Sequence, residues 1–350
     1  SGTSGRPKLA AHREEAVVAH ARADAAAMGL GPGDQVVCAL PLSGVFGFST
    51  AMAAIAGRGV CLLEPVFDED QVLADMARHG ATHLVGGDDL VARLADAWGR
   101  RRRELPAWRW LGIADFAGRA EELAAWAETE FGAVATGVYG SSEVFALAAM
   151  WPPEEPAPHR WRAGGRLVSP GMEARVVDPV SRQVLGPSAR GELELAGPSV
   201  VDAYLGDHEA LAAAVSAEGW FATGDLAEVD QEGAITFYCR MGDVLRLRGF
   251  LVDPAEIEHR LAAHEAVRST KVVGIRGPDG GEAAVAFVVP RPGASPDPDE
   301  LRAWCADTLA GFKVPAAVHL IEDMPTTVGT NGTKIRAGVL REWAQDLATP

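Results

Sequence analysis

The sequence has 350 residues, 48 % of them hydrophobic, and carries a formal net charge of −16. This length fits two or three domains, and the acidity argues against nucleic acid or an anionic membrane as the main partner, because both are bound through basic surfaces. No run of about 20 apolar residues predicts a membrane span. The composition therefore favours a globular protein that acts on small molecules.

The first 150 residues alternate between helical and strand patterns. An alanine-rich segment with spaced charges predicts a helix from Ala10 to Met28, which Gly29 ends. Helical patterns recur at 49–57, 68–78, 88–98 and 118–130, and apolar runs predict strands at 35–40, 59–64, 82–86, 108–112 and 134–138. Strands that alternate with helices of this length predict βαβ units and a parallel sheet.

The pattern changes beyond residue 150. Short strand patterns between Gly, Pro and Asp turns predict a β-rich subdomain over 151–242, with strands at 166–177, 190–197 and 234–239. The segment 243–350 mixes both types and predicts a compact α+β domain. The predicted fold class is α/β with α+β: a large domain (1–242), composed of an α/β subdomain (1–150) and the β-rich subdomain, and a mobile C-terminal domain.

The four cysteines, Cys38, Cys61, Cys239 and Cys305, are scattered along the chain. Their spacing fits no zinc-ligand pattern. Isolated cysteines with apolar neighbours suit a reducing compartment, so we expect a cytoplasmic protein.

The N-terminal segment Ser1-Gly-Thr-Ser-Gly-Arg-Pro-Lys8 combines two glycines, three hydroxyls and a lysine. Glycines free the backbone, so that several N–H groups can point into one concavity that suits a polyphosphate. A flexible Ser/Gly-rich tail explains the octapeptide alone equally well.

Four further segments place polar groups beside glycine turns. Tyr139-Gly-Ser-Ser-Glu143 follows an apolar strand, and Trp220-Phe-Ala-Thr-Gly-Asp225 presents a carboxylate. Arg240-Met-Gly-Asp243 ends another strand, and Asn331-Gly-Thr-Lys334 places a lysine near the C-terminus. Each segment alone is an ordinary turn more often than a site.

In their order and spacing, these segments resemble the adenylate-forming superfamily, which includes acyl- and aryl-CoA synthetases. The resemblance runs from Ser1 to about Arg341, and Tyr204 and Phe312-Lys-Val-Pro315 also match it. It implies a reaction in two steps: ATP and a carboxylic acid give an acyl-adenylate and pyrophosphate, and a thiol then displaces AMP. It also implies a further N-terminal region, with part of the acid pocket, ahead of the phosphate loop.

The resemblance implies a role for each segment in binding ATP. Thr3, Ser4, Gly5 and Lys8 match the loop that holds the β- and γ-phosphates. We expect residues 1–5 to be mobile unless a ligand or a preceding region holds them.

The next matched segment lies beside the base and the α-phosphate. Tyr139, with Gly140 and Ser141, matches the residues on the adenine face. Ser142 matches a position that contacts the α-phosphate region, and Glu143 matches the Mg²⁺ ligand.

The remaining matches lie in the second half of the chain. Asp225 matches the ribose-binding aspartate and Arg240 a second contact near ribose and phosphate. Lys334 matches the catalytic lysine that bridges the acid and the α-phosphate, with Lys313 as its rival. Asp243 matches the hinge of the C-terminal domain.

The nature of the acid follows from the segment 41–49, which carries no charge and so disfavours an amino acid substrate. Gly44 stands where many relatives have histidine or an aromatic residue, and the segment 112–116 also departs from the family pattern. We expect a hydrophobic aliphatic or aromatic acid, in a pocket formed by Val45, Phe46, Gly47, Gly137 and Val138. Each of these side chains fits an ordinary core position equally well.

The segment that begins with Gly249 and Phe250 resembles the part of CoA synthetases that serves the thiol step. It favours coenzyme A over a carrier-protein phosphopantetheine as the acceptor. A non-catalytic nucleotide-binding fragment is the alternative from another class. The expected partners are a carboxylic acid, ATP, Mg²⁺ and coenzyme A, without nucleic acid or membrane, and a homodimer is left open.

Overall fold

The computed structural model of the chain describes residues 8–248, 250–276, 281–329 and 332–348. The helices are α1 (Glu14–Ala27), α2 (Val45–Ala56), α3 (Glu69–His79), α4 (Asp88–Arg100), α5 (Ala120–Phe131), α6 (His208–Ala214), α7 (Pro254–Ala262), α8 (Pro298–Ala306) and α9 (Ala337–Ala348).

The strands include two short ones, β1 (Ala10–Ala11) and β11 (Ala203–Tyr204). The others up to residue 240 are β2 (Gln35–Cys38), β3 (Val60–Leu63), β4 (His83–Gly87), β5 (Trp110–Ala114), β6 (Val134–Tyr139), β7 (Ala149–Met150), β8 (Gly164–Leu167), β9 (Glu173–Val177), β10 (Gly191–Ala196), β12 (Phe221–Val229) and β13 (Ile235–Arg240). Beyond them lie β14 (Leu245–Leu247), β15 (Phe250–Val252), β16 (Val267–Arg276), β17 (Glu282–Pro290), β18 (Ala317–Leu320), β19 (Thr326–Gly329) and β20 (Gly332–Ile335).

A sheet of 11 strands runs in the order β3-β2-β4-β5-β6-β7-β8-β13-β12-β10-β9. The strands β2 to β6 pair in parallel, and β6 with β7 and β7 with β8 are antiparallel. The central strands β4 and β5 are buried over their whole length, as expected of strands with helices on both faces. The predicted parallel sheet and the mixed α/β fold class are confirmed. The tyrosine that ends β6 therefore lies at the carboxyl edge of the parallel strands, where α/β sheets bind ligands.

Gly29 ends the first helix, as the sequence predicts, and α3 begins at an aspartate and ends at a glycine. Met28 is the C-cap of α1, and Gly29 follows it with a φ of 67°. Asp68 caps the start of α3 by accepting a hydrogen bond from the backbone N–H of Gln71, and Gly80 ends that helix in the left-handed region. Local sequence alone is enough to fix these boundaries.

The start of the first predicted helix is wrong. Ala10 and Ala11 form a strand instead of the start of the first helix, because they pair with Tyr204 and Ala203. This long-range pairing outweighs the helix propensity of alanine, which is a weak local preference. In the C-terminal part of the chain, β14 and β15 pair as an antiparallel hairpin.

The chain divides into two compact units, each with its own buried core. The first unit comprises residues up to 223 together with 227–237 and 329–332, and the second comprises 224–226, 238–328 and 333–350. In the first, the helices pack on the parallel strands, with Leu84, Leu111 and Ile113 fully buried. In the second, Ile257 and Leu301 are fully buried against the three-stranded sheet β16-β17-β18. Among the described residues, no helix is both long and apolar enough to cross a membrane.

Candidate active site

The segment after β6 has an unusual backbone conformation, with a close approach at a glycine and three positive φ angles. Gly140 lies so close to the backbone of Ala146 that a Cβ atom at Gly140 would come within 2.6 Å of it. Ser142–Val144 then form one turn of 3-10 helix. Three consecutive non-glycine residues follow with positive φ: Phe145 (61°), Ala146 (56°) and Leu147 (35°). Such conformations are costly and persist only where the surroundings impose them, often at functional sites.

Glu143 lies just before the strained residues, and its side chain is buried. Glu143 is 8 % exposed, and the hydroxyl of Tyr204 donates a hydrogen bond of 2.9 Å to its Oε1 atom. The backbone N–H of Val201 donates to the carbonyl oxygen of Glu143 at 2.7 Å. Burial, with the Glu143 carboxylate beside the hydroxyl, raises the pKa of Tyr204, so this group stays a donor at neutral pH. The hydrogen bond from Tyr204 fixes the direction of the carboxyl group, and the one from Val201 holds the backbone of Glu143.

A cation lies on the face of the same tyrosine. Lys8 Nζ is 4.9 Å from the centre of the Tyr204 ring, a cation–π contact. The pairing of β1 with β11 holds the Lys8 segment there, and the backbone N–H of Leu205 donates to the carbonyl of Leu9 at 2.9 Å. The structure therefore brings together Lys8 and Glu143, which lie 135 positions apart in the sequence, around Tyr204.

Two histidines that sequence reasoning missed also contact this segment. His12 Nε2 is 2.8 Å from the carbonyl oxygen of Ser142 and His20 Nε2 is 3.1 Å from that of Ala146. The ring of Phe145 makes edge contacts with both imidazoles. No local pattern marks either histidine, since the contacts depend on the packing of α1.

The residues predicted for the base and the acid lie on β6 and at the start of α2. Tyr139 is buried, and its ring centre is 5.7 Å from that of Phe237. The Ser141 hydroxyl is buried without a hydrogen-bond partner among the described residues. Phe46 and Val138 belong to the main buried core, the interpretation that the sequence left open for them.

The glycines of the predicted acid pocket lie against backbone. A Cβ atom at Gly137 would lie 1.9 Å from the carbonyl oxygen of Arg162, and one at Gly47 would lie 2.5 Å from that of Pro41. Val45, by contrast, is half-buried against the core. These glycines allow β6 and α2 to approach neighbouring chain segments closely, and no larger residue fits either position without a shift of the backbone.

The predicted residues of the second unit form their own contacts. Asp225 is 1 % exposed, and its carboxylate makes a 2.9 Å ion pair with Arg240 Nη1. Arg341 of α9 donates to the carboxylate of Asp243 and, at 2.8 Å, to the carbonyl of Gly242. Asp225 is therefore held within a strand, although the sequence suggested a turn.

Several predicted residues lie outside the described part of the chain: Thr3, Ser4, Gly5 and Gly249. For Lys334 only the backbone is described, as part of β20. Phe250 is 58 % exposed and stacks on Phe312, with ring centres 5.0 Å apart.

The donor set suits a metal that arrives with a phosphate ligand. Among the described residues, no group of three His, Cys, Asp or Glu side chains could hold a metal ion. Mg²⁺ commonly takes only one or two carboxylates and completes its shell with substrate phosphates and water. Glu143, buried and fixed by Tyr204, fits this requirement.

Comparison with protein families gives two matches that cover most of the chain. Residues 1–205 match the model of the AMP-binding enzyme family, and residues 256–329 match the AMP-binding enzyme C-terminal domain. The first match alone spans more than half of the chain and contains the whole cluster around Tyr204.

Individual proteins agree with the family match. A 3-[(3aS,4S,7aS)-7a-methyl-1,5-dioxo-octahydro-1H-inden-4-yl]propanoyl:CoA ligase of Rhodococcus jostii is 30 % identical over 98 % of the chain, which spans 64 % of that protein's length. ATP-bound MatB from Rhodopseudomonas palustris superposes with a TM-score of 0.88 at 28 % identity, over 100 % of this chain and 68 % of MatB. The amide bond synthetase McbA from Marinactinospora thermotolerans gives 0.84 at 31 % identity, over 98 % and 67 %.

Proposed function

The chain belongs to the AMP-binding enzyme family, and from this membership we propose that it is an ATP-dependent acid:CoA ligase. The observation that carries the proposal is the arrangement of Lys8 and Glu143 around Tyr204 at the carboxyl edge of the parallel strands. A cation and a metal-binding carboxylate held close together suit a triphosphate with its Mg²⁺ ion.

In the first step, a carboxylate oxygen of the acid forms a bond to the α-phosphorus of ATP. The bond from that phosphorus to the oxygen bridging the α- and β-phosphates breaks, and pyrophosphate leaves. The acid needs no general base, because a carboxylic acid is already ionised at pH 7. The barrier lies in bringing two anions together, so cationic groups at the reacting atoms supply the main stabilisation.

We assign the reacting groups to Lys334 and to the phosphate loop. Lys334 would bridge the acid carboxylate and the α-phosphate, and Thr3, Ser4, Gly5 and Lys8 would hold the outer phosphates. Ser142 would contact the α-phosphate region, where the carbonyl of this residue is already fixed by His12. Mg²⁺, held by Glu143, would neutralise phosphate charge when bound.

We assign the contacts with the nucleoside to two groups of residues. We assign the adenine face to Tyr139, with Gly140 and Ser141, because a buried aromatic ring at a strand end suits a flat base. The carboxylate of Asp225 can accept hydrogen bonds from both ribose hydroxyls, with Arg240 as its ionic partner. Each of these groups contacts the nucleotide and not the acid.

We propose a hydrophobic acid as the substrate. The segment 41–49 is uncharged, and Val45, Phe46 and Val138 are apolar. The Rhodococcus jostii relative is named for a ring-bearing propanoyl group. Because Phe46 and Val138 are buried in the core, we expect the half-buried Val45 to be the most direct contact with the acid.

In the second step, the sulfur of coenzyme A forms a bond to the acyl carbon, AMP leaves and the thiol proton passes to solvent. Phe250, which belongs to the segment that we assign to this step, is exposed and stacks on the half-buried Phe312. Asp243 would act as the hinge between the two steps. Its ion pair with Arg341 would restrain the hinge from within the second unit.

An amine acceptor is the second candidate for this step. It is favoured by the likeness to the amide bond synthetase McbA, at 31 % identity. A carrier-protein thiol and a non-catalytic nucleotide-binding protein remain the alternatives from the sequence.

Acid-dependent exchange of labelled pyrophosphate into ATP, over a panel of fatty and aromatic acids, tests the first step. Product mass with coenzyme A, or with an amine, then identifies the acceptor. Absence of exchange with every acid would favour the non-catalytic alternative.

The variant Lys334→Ala separates the two steps. We expect exchange to fall by about 100-fold or more, because a cation at the reacting phosphate is lost. Formation of the thioester from supplied acyl-adenylate should be largely kept. Lys313→Ala is the matched control, since Lys313 is paired with Glu256 in the second unit. Equal loss of both steps in Lys334→Ala would contradict the assigned role.

A further inference from the structure

The strained turn Phe145–Leu147 needs support from outside its own segment, because three positive φ angles in succession are unfavourable for residues with side chains. Within the segment, the N–H of Ala146 donates to the carbonyl of Ser141 at 2.7 Å. The carbonyl oxygen of Ala146 has its partner in α1, the imidazole of His20 at 3.1 Å. This contact links positions 126 residues apart.

His20 is fixed by a buried polar network. It is 1 % exposed, and its Nδ1 atom lies 2.7 Å from the Ser169 hydroxyl. Its Nε2 atom lies 3.3 Å from Asp24 Oδ2, which in turn accepts a hydrogen bond of 3.0 Å from Ser49. Every one of these groups is buried. Both ring nitrogens of His20 therefore have buried partners, which hold the imidazole in one arrangement.

The network determines which nitrogen of His20 carries the proton. Burial lowers the pKa of His20 to about 4, so the ring is neutral at pH 7 and has a single N–H group. The carbonyl oxygen of Ala146 can only accept, so Nε2 must be the donor and Nδ1 accepts from the Ser169 hydroxyl. Only a donor at the Nε2 position can hold the turn in this way.

The turn connects directly to the groups assigned to the metal and the α-phosphate. Only Val144 separates Glu143 from the first strained residue, and Ser142 precedes it. If the Ala146 carbonyl lost its donor, the turn would relax toward ordinary φ angles and the backbone of Glu143 would shift with it. Glu143 would then lose its fixed direction toward the nucleotide.

We propose that His20 is a positioning residue for Glu143 and Ser142, acting through the carbonyl of Ala146 and contacting neither metal nor nucleotide. The assignment rests on the proposed function for its effect on Mg²⁺ and ATP. Its effect on the turn is independent of that function.

The test uses two amides that imitate different nitrogens of histidine. In His20→Gln the amide nitrogen can reach the position of Nε2, whereas in His20→Asn it can reach only that of Nδ1. We expect His20→Asn to raise the KM for Mg²⁺·ATP in pyrophosphate exchange by about tenfold or more, as for loss of a group that orients a metal ligand. The KM for the acid should change less, and His20→Gln should restore most of the loss.

A second buried histidine supplies the matched control. His83 is also 1 % exposed, with Nε2 3.0 Å from the carbonyl of Met28 and Nδ1 2.8 Å from the Thr82 hydroxyl. His83→Asn should therefore lower the melting temperature as His20→Asn does, without a change in the KM for Mg²⁺·ATP. Ser169→Ala removes the partner of His20 Nδ1, so it should also raise the KM for Mg²⁺·ATP, but less than His20→Asn does.

Amide hydrogen exchange of the peptide that spans residues 141–148 measures the turn directly. We expect faster exchange in His20→Asn than in His20→Gln or His83→Asn. If His20→Asn and His83→Asn lower stability alike, with the same exchange in this peptide and the same KM, the proposal is overturned. Wild-type protein without pyrophosphate exchange would count against the proposed function, and the amide exchange would still decide the role of His20.

Discussion

The hydroxyl, the ring and the backbone of Tyr204 each make a different contact at the candidate site. Its hydroxyl donates to Glu143, its ring faces Lys8, and its backbone pairs with Ala10. Hydrogen bonds to a charged group contribute about 1.5–3 kcal/mol, more than those between neutral groups. The hydroxyl and the ring can therefore be separated by substitution.

The variant Tyr204→Phe removes the hydroxyl and keeps the ring. We expect Mg²⁺·ATP binding to weaken by roughly 10- to 100-fold, because the Glu143 carboxylate loses a buried donor worth about 1.5–3 kcal/mol. Tyr204→Leu, which also removes the ring under Lys8, should weaken it further. Titration calorimetry with Mg²⁺·ATP measures both, and equal affinities for Tyr204→Phe and wild type would show that the hydroxyl does not matter.

The residues of the candidate site that lie in short motifs are predictable from the sequence. The family resemblance identifies Glu143 and Lys8, because both lie in segments in which glycine, hydroxyl and charge occur together. The resemblance includes Tyr204 but implies no role for it, and no local pattern marks His20. Their partners lie 61 and 126 positions away, and only the packing of the chain brings such pairs together.

At the scale of elements, α7 begins with a buried acidic cap. Asp253 Oδ1 accepts a hydrogen bond of 2.9 Å from the N–H of Ala255. Burial raises the pKa of the Asp253 carboxyl to about 6, and the nearby Glu258 and Glu256 act in the same direction. Lys271 opposes this shift. The folded state therefore binds a proton at Asp253 more tightly than the unfolded chain does.

This shift predicts a pH dependence of stability. The contribution of Asp253 is fully present below its ordinary pKa of 3.8 and is lost as pH rises through about 6. The full shift in the pKa of Asp253 corresponds to a contribution of about 3 kcal/mol to the free energy of unfolding. Asp253→Asn keeps the cap without the charge, so it should be more stable than wild type at pH 7 to 8 and lose this pH dependence.

Asp297→Asn is the matched control for that prediction. Asp297 caps α8 in the same way, also ahead of a proline, but it is exposed. Urea unfolding of both variants from pH 4 to pH 8 gives the comparison. If Asp253→Asn and Asp297→Asn changed the profile equally, burial at Asp253 would not be the cause.

The elements themselves were largely predictable where local pattern and packing agree. The strands β2 and β4 to β6 come from mostly apolar segments, and all four are largely buried in the parallel part of the sheet. The prediction failed where a distant partner decides the conformation, as in the pairing of Ala10 and Ala11 with β11. Two-residue strands carry too little local pattern to be recognised.

For the whole molecule, the two units have separate cores, so they should respond separately to loss of core packing. The sequence predicted a boundary at residues 242–243, which stays a prediction. Leu111 of the first unit and Leu301 of the second are both fully buried. Replacement of a buried leucine by alanine costs about 2–5 kcal/mol.

Calorimetry tests this independence. We expect two unfolding transitions, of which Leu111→Ala lowers one and Leu301→Ala lowers the other. The pair is internally matched, because the same substitution is made at equal burial in each core. One transition that moves equally with both variants would indicate that the chain unfolds as a single cooperative body.

The contact of Lys8 and Glu143 with one tyrosine has a consequence for the order of events in ligand binding. Two opposite charges that share a rigid support are placed when the chain folds, so their side-chain entropy is lost at that stage and not when the nucleotide arrives. If the proposed function holds, the triphosphate would then meet charges that are already oriented toward it. On that proposal, the preference of the site for a triphosphate over neutral or monophosphate compounds would be set by the folded chain before the ligand binds.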